Sequence, residues 1–416
     1  MSLLFFIVVE KRGGCQDSRT QGQVTALIGP SGGGKSTASL DGENESAVQA
    51  ALSQLLRGKT VLVIAHRMRT VAGADQIVVL EEGRVAQKGI PQELMEQGGL
   101  YRHMVELLLT GVDGNLGSQA AEYLLELEPV ENLIFCGYSE EALKKFAERG
   151  VETRVTNFNF SEGLKEAFTG AERLALISMP FVGAKRQNAH KNVVDAAKAA
   201  GVKVIYTSLV NAGDETNPSV EKKDHIYTEN YIKASGPDYI FLRNSQYAEA
   251  MITNYFTYVK LDGVLKNNQG DGKMAYISRK DCAKAVAYAL HRGAGYDHAT
   301  LNINGPELMT ISQFIEYGNQ GTGNHITYQE ITDEENYQVF DAMGVPRTTD
   351  GHFEKGSEAP YSSDGMVTFG QAIREGKMDV WTDDFQKLTG QQPLTVLYMF
   401  QHSSDFQVGE RHSKDN

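Results

Sequence analysis

"LLLTGVDGNLGS" (residues 107–118) decides how most of this chain is read. Its leucines read as a strand, its glycines as a turn, and the residues that follow as a helix. The spacing is Gly111-x-x-Gly114-x-x-Gly117. The first glycine permits a tight turn, the second lets the backbone approach a pyrophosphate, and the third allows close helix–strand packing. The helix N-terminus then faces the phosphates. A glycine triplet alone is weak, but between a strand and a helix it points to a dinucleotide site.

Working outward, the same alternation continues. "NLIFCG", "VETRVTN", "RLALISMP", "VKVIYTS" and "YIFLRNS" read as further strands, with helical segments between most of them. Such a pattern predicts an α/β fold with a doubly wound, mostly parallel sheet. Residues 107–400 are expected to form this domain, with a smaller C-terminal substrate subdomain. Residues 401–416, "QHSSDFQVGERHSKDN", are expected to be a polar tail.

Bulk properties narrow the function classes. The net charge of −13 argues against nucleic acid or anionic membrane as partner. Cys15, Cys136 and Cys282 are widely spaced, and neither C-x-x-C nor H-E-x-x-H occurs, so no disulfide framework or metal site is expected. This usage suits a reducing cytoplasm. The apolar run at residues 3–9 is too short to span a membrane and has no basic residue before it, so a buried strand is the better reading.

Residues 1–106 form a separate case. Gly29-x-x-x-x-Gly34-Lys35-Ser36 fits a phosphate-binding loop, "TVLVIAH" reads as a strand, and residues 76–89 read as a hairpin turned at Glu82-Gly83. From Gln21 to about Leu107 the sequence resembles an ABC-transporter ATPase domain from which the middle has been deleted. His66 matches the switch histidine of that family, but the signature motif and the strand ending in Asp-Glu are missing. Without that pair the Mg²⁺ loses a protein partner and no base polarises water. A truncated fragment without ATP turnover is therefore expected.

From residue 107 to about 400 the chain resembles the NmrA-like atypical short-chain dehydrogenases/reductases, and within them the type-2 quinone oxidoreductases. "TGVDGNLGS" parallels T-G-A-T-G-x-L-G, and "YIFLRNSQYAEAM" and "REGKMDVWTDDFQKLTGQQP" parallel the later family patterns. The resemblance implies a Rossmann domain in which Thr110, Gly111, Gly114, Asn115, Leu116 and Gly117 hold the pyrophosphate. It also implies that Asn157 and Phe158 lie beside the adenine, that Ser178, Met179 and Pro180 line the nicotinamide side, and that Ser208 and Leu209 border the reaction centre. After the second strand, "CGYSEEALKK" offers neither the acid that would bind an NAD ribose nor an arginine for the NADP phosphate. Tyr138 and Ser139 could bond a phosphate there, with Lys144 or Lys145 in reach, which tilts the expectation towards NADP over NAD.

Ordinary short-chain dehydrogenases protonate a carbonyl with Tyr-x-x-x-Lys. The corresponding segment here, "KKDHIYTENYI", has His225-x-x-x-Glu229 instead, against an atypical Lys-x-x-x-Glu pattern. His225 becomes the candidate polar group near the nicotinamide, with Tyr227 and Tyr247 as candidate substrate contacts. The expected activity is NAD(P)H-dependent hydride transfer to a small electrophile (a quinone, enone or other activated carbonyl). The rival is a non-catalytic dinucleotide-binding redox sensor. A homodimer is left open.

Overall fold

The computed structural model describes residues 106–348 and 361–407 continuously, with pieces of the first 105 residues (7–9, 25–26, 61–63, 76–81, 84–90, 93, 94, 97 and 101). The chain divides into two compact units, Met1–Glu106 and Leu107–Asn416.

In the first unit Ile7–Val9 pairs antiparallel with Val61–Val63, which also pairs in parallel with Thr25–Ala26. The expected hairpin forms between Ile77–Glu81 and Arg84–Gly89, with a register shift at Val79 and Leu80. The phosphate loop at 29–36, including Lys35, and His66 lie outside the described residues.

The second unit carries seven parallel strands: β1 (Glu106–Leu109), β2 (Leu133–Gly137), β3 (Glu152–Val155), β4 (Ala171–Leu176), β5 (Lys203–Leu209), β6 (Tyr239–Asn244) and β7 (Ala299–Ile303). Their spatial order is β7-β6-β5-β4-β1-β2-β3, with parallel pairing of β7 with β6, β6 with β5, β5 with β4, β1 with β2 and β2 with β3. The helices that bear on the site are α1 (Asn115–Leu127), α2 (Glu140–Ala147), α3 (Leu164–Phe168), α4 (Ala184–Ala200), α5 (Lys222–Ser235), α6 (Ala248–Lys260) and α7 (Arg279–Arg292).

Strand alternation explains why both faces are covered. Leu107, Leu109, Leu133, Phe135, Ile205 and Leu242 join one apolar cluster with α1 and α7. Leu108, Ile134, Cys136, Leu174, Val204 and Phe241 join another with α3, α4 and α5. Central strands therefore need consecutive apolar residues through their buried middles, which is the pattern the sequence carries at 107–109, 133–136, 174–176 and 204–206. The sheet is doubly wound, as expected.

A third cluster builds the smaller C-terminal part. It gathers Ile252, Tyr255, Leu265, Tyr276, Phe314, Ile373 and Phe400, under two short sheets of two strands each. The chain stays anchored further than the expected tail boundary at 401. Gln401 ends the helix Val396–Gln401, and Phe406 is 1% exposed, packed edge-on against Tyr398 with the Lys280 ammonium over its ring. The run looks polar in sequence because a single phenylalanine provides the anchor.

Candidate active site

The strand order reverses between β1 and β4, so the loops after these strands leave a crevice at the carboxyl edge of the sheet. In open α/β sheets ligands bind at this switch point. The loop after β1 is built for it. Gly111 has φ +65°, a conformation that side chains rarely adopt. A Cβ on Gly117 would lie 2.0 Å from the Gly111 carbonyl oxygen, so only glycine lets α1 start this close to the strand. Gly114 is the N-cap of α1, and no side chain caps that helix. Its first-turn N–H groups are thus left for an anion, which fits a dinucleotide pyrophosphate. Leu116 is buried and packs into the core below.

Thr110 plays a different part from the expected one. Its hydroxyl donates to the Ala175 carbonyl at 2.8 Å and accepts from Ile177 N–H at 3.3 Å, so it ties β1 to the end of β4. Asn157 accepts from Asn159 N–H in a turn, and Phe158 is 6% exposed within the apolar cluster beneath α4. The ring at 158 therefore supports the loop from below and is not an open face for adenine. Ser139 accepts from Ala142 N–H at the start of α2, leaving its own O–H able to donate, and Tyr138 stands 55% exposed beside it.

The loop after β4 is held from behind by a polar network. Ser178 N–H donates to Thr207 Oγ1 at 2.8 Å, and Met179 N–H donates to His190 Nε2 at 3.1 Å. The other nitrogen of His190 therefore carries the proton, facing Thr228 Oγ1 at 2.9 Å. Gly183 N–H donates to the Asp224 carboxylate, and Arg186 donates to the Phe181 carbonyl. Pro180 is exposed and Leu209 half-buried at the same edge.

The four expected catalytic groups separate. His225 has both nitrogens engaged, with Tyr206 OH at 2.9 Å from Nδ1 and Arg186 donating to Nε2 at 3.5 Å. Burial and the neighbouring Arg186 hold it well below the usual histidine range, so it is neutral at physiological pH. It is a positioning residue for the loop and not a proton donor. Ser208 is 3% exposed, and its hydroxyl donates to Glu229 Oε1 at 2.7 Å. A buried carboxylate needs such donors, so this hydroxyl is taken from the substrate side. Tyr227 stacks on Tyr231, whose hydroxyl donates to Asp195 of α4, which sets it among the helices. Tyr247 lies just beyond the end of β6, where its hydroxyl accepts from Asn244 Nδ2 at 3.2 Å. Burial pushes its phenol far up, so it stays protonated. The Tyr-x-x-x-Lys spacing does occur elsewhere, at Tyr276 and Lys280, but Tyr276 is 1% exposed and packs on Phe314.

The buried histidines give this unit a defined acid sensitivity. Burial, and then Arg186, lower His190 to about 3, whereas a free histidine titrates near about 6.5. The unfolded chain therefore binds the proton more readily. The stability at stake is complete above about pH 6.5 and is lost as pH falls towards about 3. His190→Gln is expected to flatten the unfolding free energy, obtained from urea titrations, against pH below about 6.5, by up to about 1.4 kcal/mol per pH unit. Unchanged slopes would remove His190 as the source.

Asp113 is the residue that sequence reasoning missed. Its carboxylate accepts from Tyr138 N–H at 2.6 Å, which brings an acid from the glycine loop to the end of β2. The available signal was its position, since the related pattern has threonine there.

Known proteins match this arrangement. The NmrA-like family model covers residues 106–356. Quinone oxidoreductase 2 of Escherichia coli (strain K12) is 32% identical over 241 residues, 58% of this chain and 82% of its own. The crystal structure of an NADPH-dependent quinone oxidoreductase from E. coli complexed with NADPH aligns with a TM-score of 0.63 at 28% identity, over 71% of this chain and 99% of that one. Citrobacter sp. triphenylmethane reductase complexed with NADP(H) gives 0.62 at 26% identity, over 72% and 99%. The N-terminal segment is similar to an ATP-dependent lipid A-core flippase of Burkholderia thailandensis, 53% identical over 70 residues. That stretch is 17% of this chain and 12% of the flippase. With a family model spanning more than half of its length, on a sheet and glycine loop that fit, the chain is an oxidoreductase and belongs to the NmrA-like family.

Proposed function

We propose that this chain binds NADPH along the carboxyl edge of the sheet and directs its hydride to a small conjugated electrophile, such as a quinone or enone. The observation that carries this reading is the uncapped α1 N-terminus directly behind Gly111 and Gly114 at the strand-order reversal. The named relatives support it, since one is an NADPH-dependent quinone oxidoreductase and another binds NADP(H). When bound, NADPH supplies the reducing equivalent, and the protein's share is positioning and exclusion of water. The Gly111–Gly117 turn holds the phosphates, and the loop at 178–180 borders the reacting end. The N-terminal unit takes no part in this proposal.

The engaged state of the polar groups favours conjugated acceptors. Ser208 is committed to Glu229, His225 is neutral and bonded, and Tyr247 is a very weak acid. A simple ketone needs a proton donor at its oxygen, and lacking one typically costs about 10²–10⁴-fold. A quinone delocalises the incoming charge and can take its proton from solvent. NADPH oxidation measured with a quinone panel and with matched simple ketones is expected to favour quinones by at least about 100-fold. Fast ketone reduction that disappears in Tyr247→Phe would overturn this mechanism. NADPH binding without oxidation by any acceptor would favour the redox-sensor reading, for which the same committed side chains speak.

A further inference from the structure

We infer that Asp113 reads the adenosine ribose of the cofactor and lets this protein use NADH beside NADPH. The inference rests on the dinucleotide reading above and concerns only its ribose end.

In Rossmann domains the residue that discriminates the two cofactors stands at the end of the second strand, about 20 residues beyond the glycine turn. That place is taken here by Gly137, which has no side chain. A Cβ added there would meet Leu143 at 3.2 Å and the Asp113 carboxyl carbon at 3.4 Å. The carboxyl of Asp113 therefore occupies the space beside the strand end that a discriminating side chain would otherwise enter. Its Oδ2 accepts from Tyr138 N–H at 2.6 Å, which fixes the group and leaves Oδ1 to accept from a ribose hydroxyl. The acid has moved from the strand to the loop, but it reaches the same point.

A 2′-phosphate brought to this point meets a fixed negative charge. It also meets a cation, because Lys145 lines the same cavity of about 320 Å³, together with Asp113, Ser118 and Glu141. The Lys145 ammonium lies 4.6 Å from the centre of the Phe146 ring, on an unbranched tether. Asp113 favours the hydroxyl of NADH, Lys145 favours the phosphate of NADPH, and neither cofactor is excluded.

The test is the ratio of kcat/KM for NADPH to that for NADH, with one quinone as acceptor, in the full chain. Both cofactors are measured on the same protein, so a partial loss of folded enzyme cancels. Asp113→Asn keeps an oxygen for Tyr138 N–H and removes the charge. The wild type is expected to use the two cofactors within about tenfold of each other, and Asp113→Asn to shift the ratio about tenfold towards NADPH. Lys145→Gln is expected to shift it the other way. A wild-type ratio beyond about tenfold, or a ratio that Asp113→Asn leaves within about threefold of wild type, would overturn the inference while NADPH binding stands. Binding of neither dinucleotide in a direct titration would overturn the proposed function along with it.

Discussion

Gly114→Val is expected to give a folded protein that has lost NADPH binding by at least about 100-fold, whereas Gly117→Ala is expected to lose stability, by about 1–3 kcal/mol or more. The two glycines lie three residues apart and look equivalent in the pattern. A Cβ on Gly114 would meet only the Gly111 carbonyl oxygen, at 3.4 Å, which is ordinary contact. The backbone there has φ −91°, open to any residue. The protein itself therefore accepts a side chain at 114, and the branched one falls where the pyrophosphate must approach the backbone. At 117 the added carbon would lie 2.0 Å from Gly111 O and 2.5 Å from its carbonyl carbon. Relief requires lifting α1 off the strand, which opens the cluster holding Leu116, Ala120 and Leu124. Overpacking of this kind typically costs about 1–3 kcal/mol or more. Thermal unfolding and NADPH titration of both variants separate the effects. Unimpaired NADPH binding by Gly114→Val would mean that the cofactor does not cross this turn.

The same contrast shows what the sequence could and could not convey. The strands were legible because β1, β2, β4 and β5 are buried on both faces, so each carries consecutive buried apolar residues, at 107–109, 133–136, 174–176 and 204–206. The glycine turn was legible because its demands are local: one positive φ and one close approach within seven residues. Side-chain partnerships were not local. Ser208 meets a carboxylate 21 residues away, His225 meets Tyr206 and Arg186 from two other elements, and Asp113 meets a backbone N–H 25 residues on. Nothing in the run "KKDHIYTENYI" says that its histidine points back into a network holding the loop after β4. Residue type suggested chemistry at each of these places, but the partners decide whether an atom is left to perform it.

Glu229→Ala is expected to destabilise the second unit by about 3–5 kcal/mol, more than any other single change within the network behind the site. Glu229 is fully buried and gathers three elements. Arg243 of β6 donates to both its oxygens, at 2.9 and 2.7 Å, and Ser208 at the end of β5 donates to Oε1 at 2.7 Å. Lys233, one turn on along α5, lies at 4.0 Å. Removing the carboxylate would leave the Arg243 guanidinium, whose side chain is 19% exposed, without its counter-charge. It would also leave a void between α5 and the sheet, so both losses act in the same direction. Glu229→Gln keeps the volume and one acceptor and is expected to lose less. Because β5 and β6 are joined here just below Ser208 and Asn244, the clamp also sets the separation of the strand ends that border the crevice. Urea unfolding of the two variants, followed by turnover per folded molecule, distinguishes this role from a catalytic one. A positioning residue shows its loss first in the urea midpoint, with turnover falling more steeply for alanine than for glutamine. An unchanged midpoint with abolished turnover would instead make Glu229 a direct participant in the reaction, and the buried clamp would be the wrong account of the His225-x-x-x-Glu229 pattern.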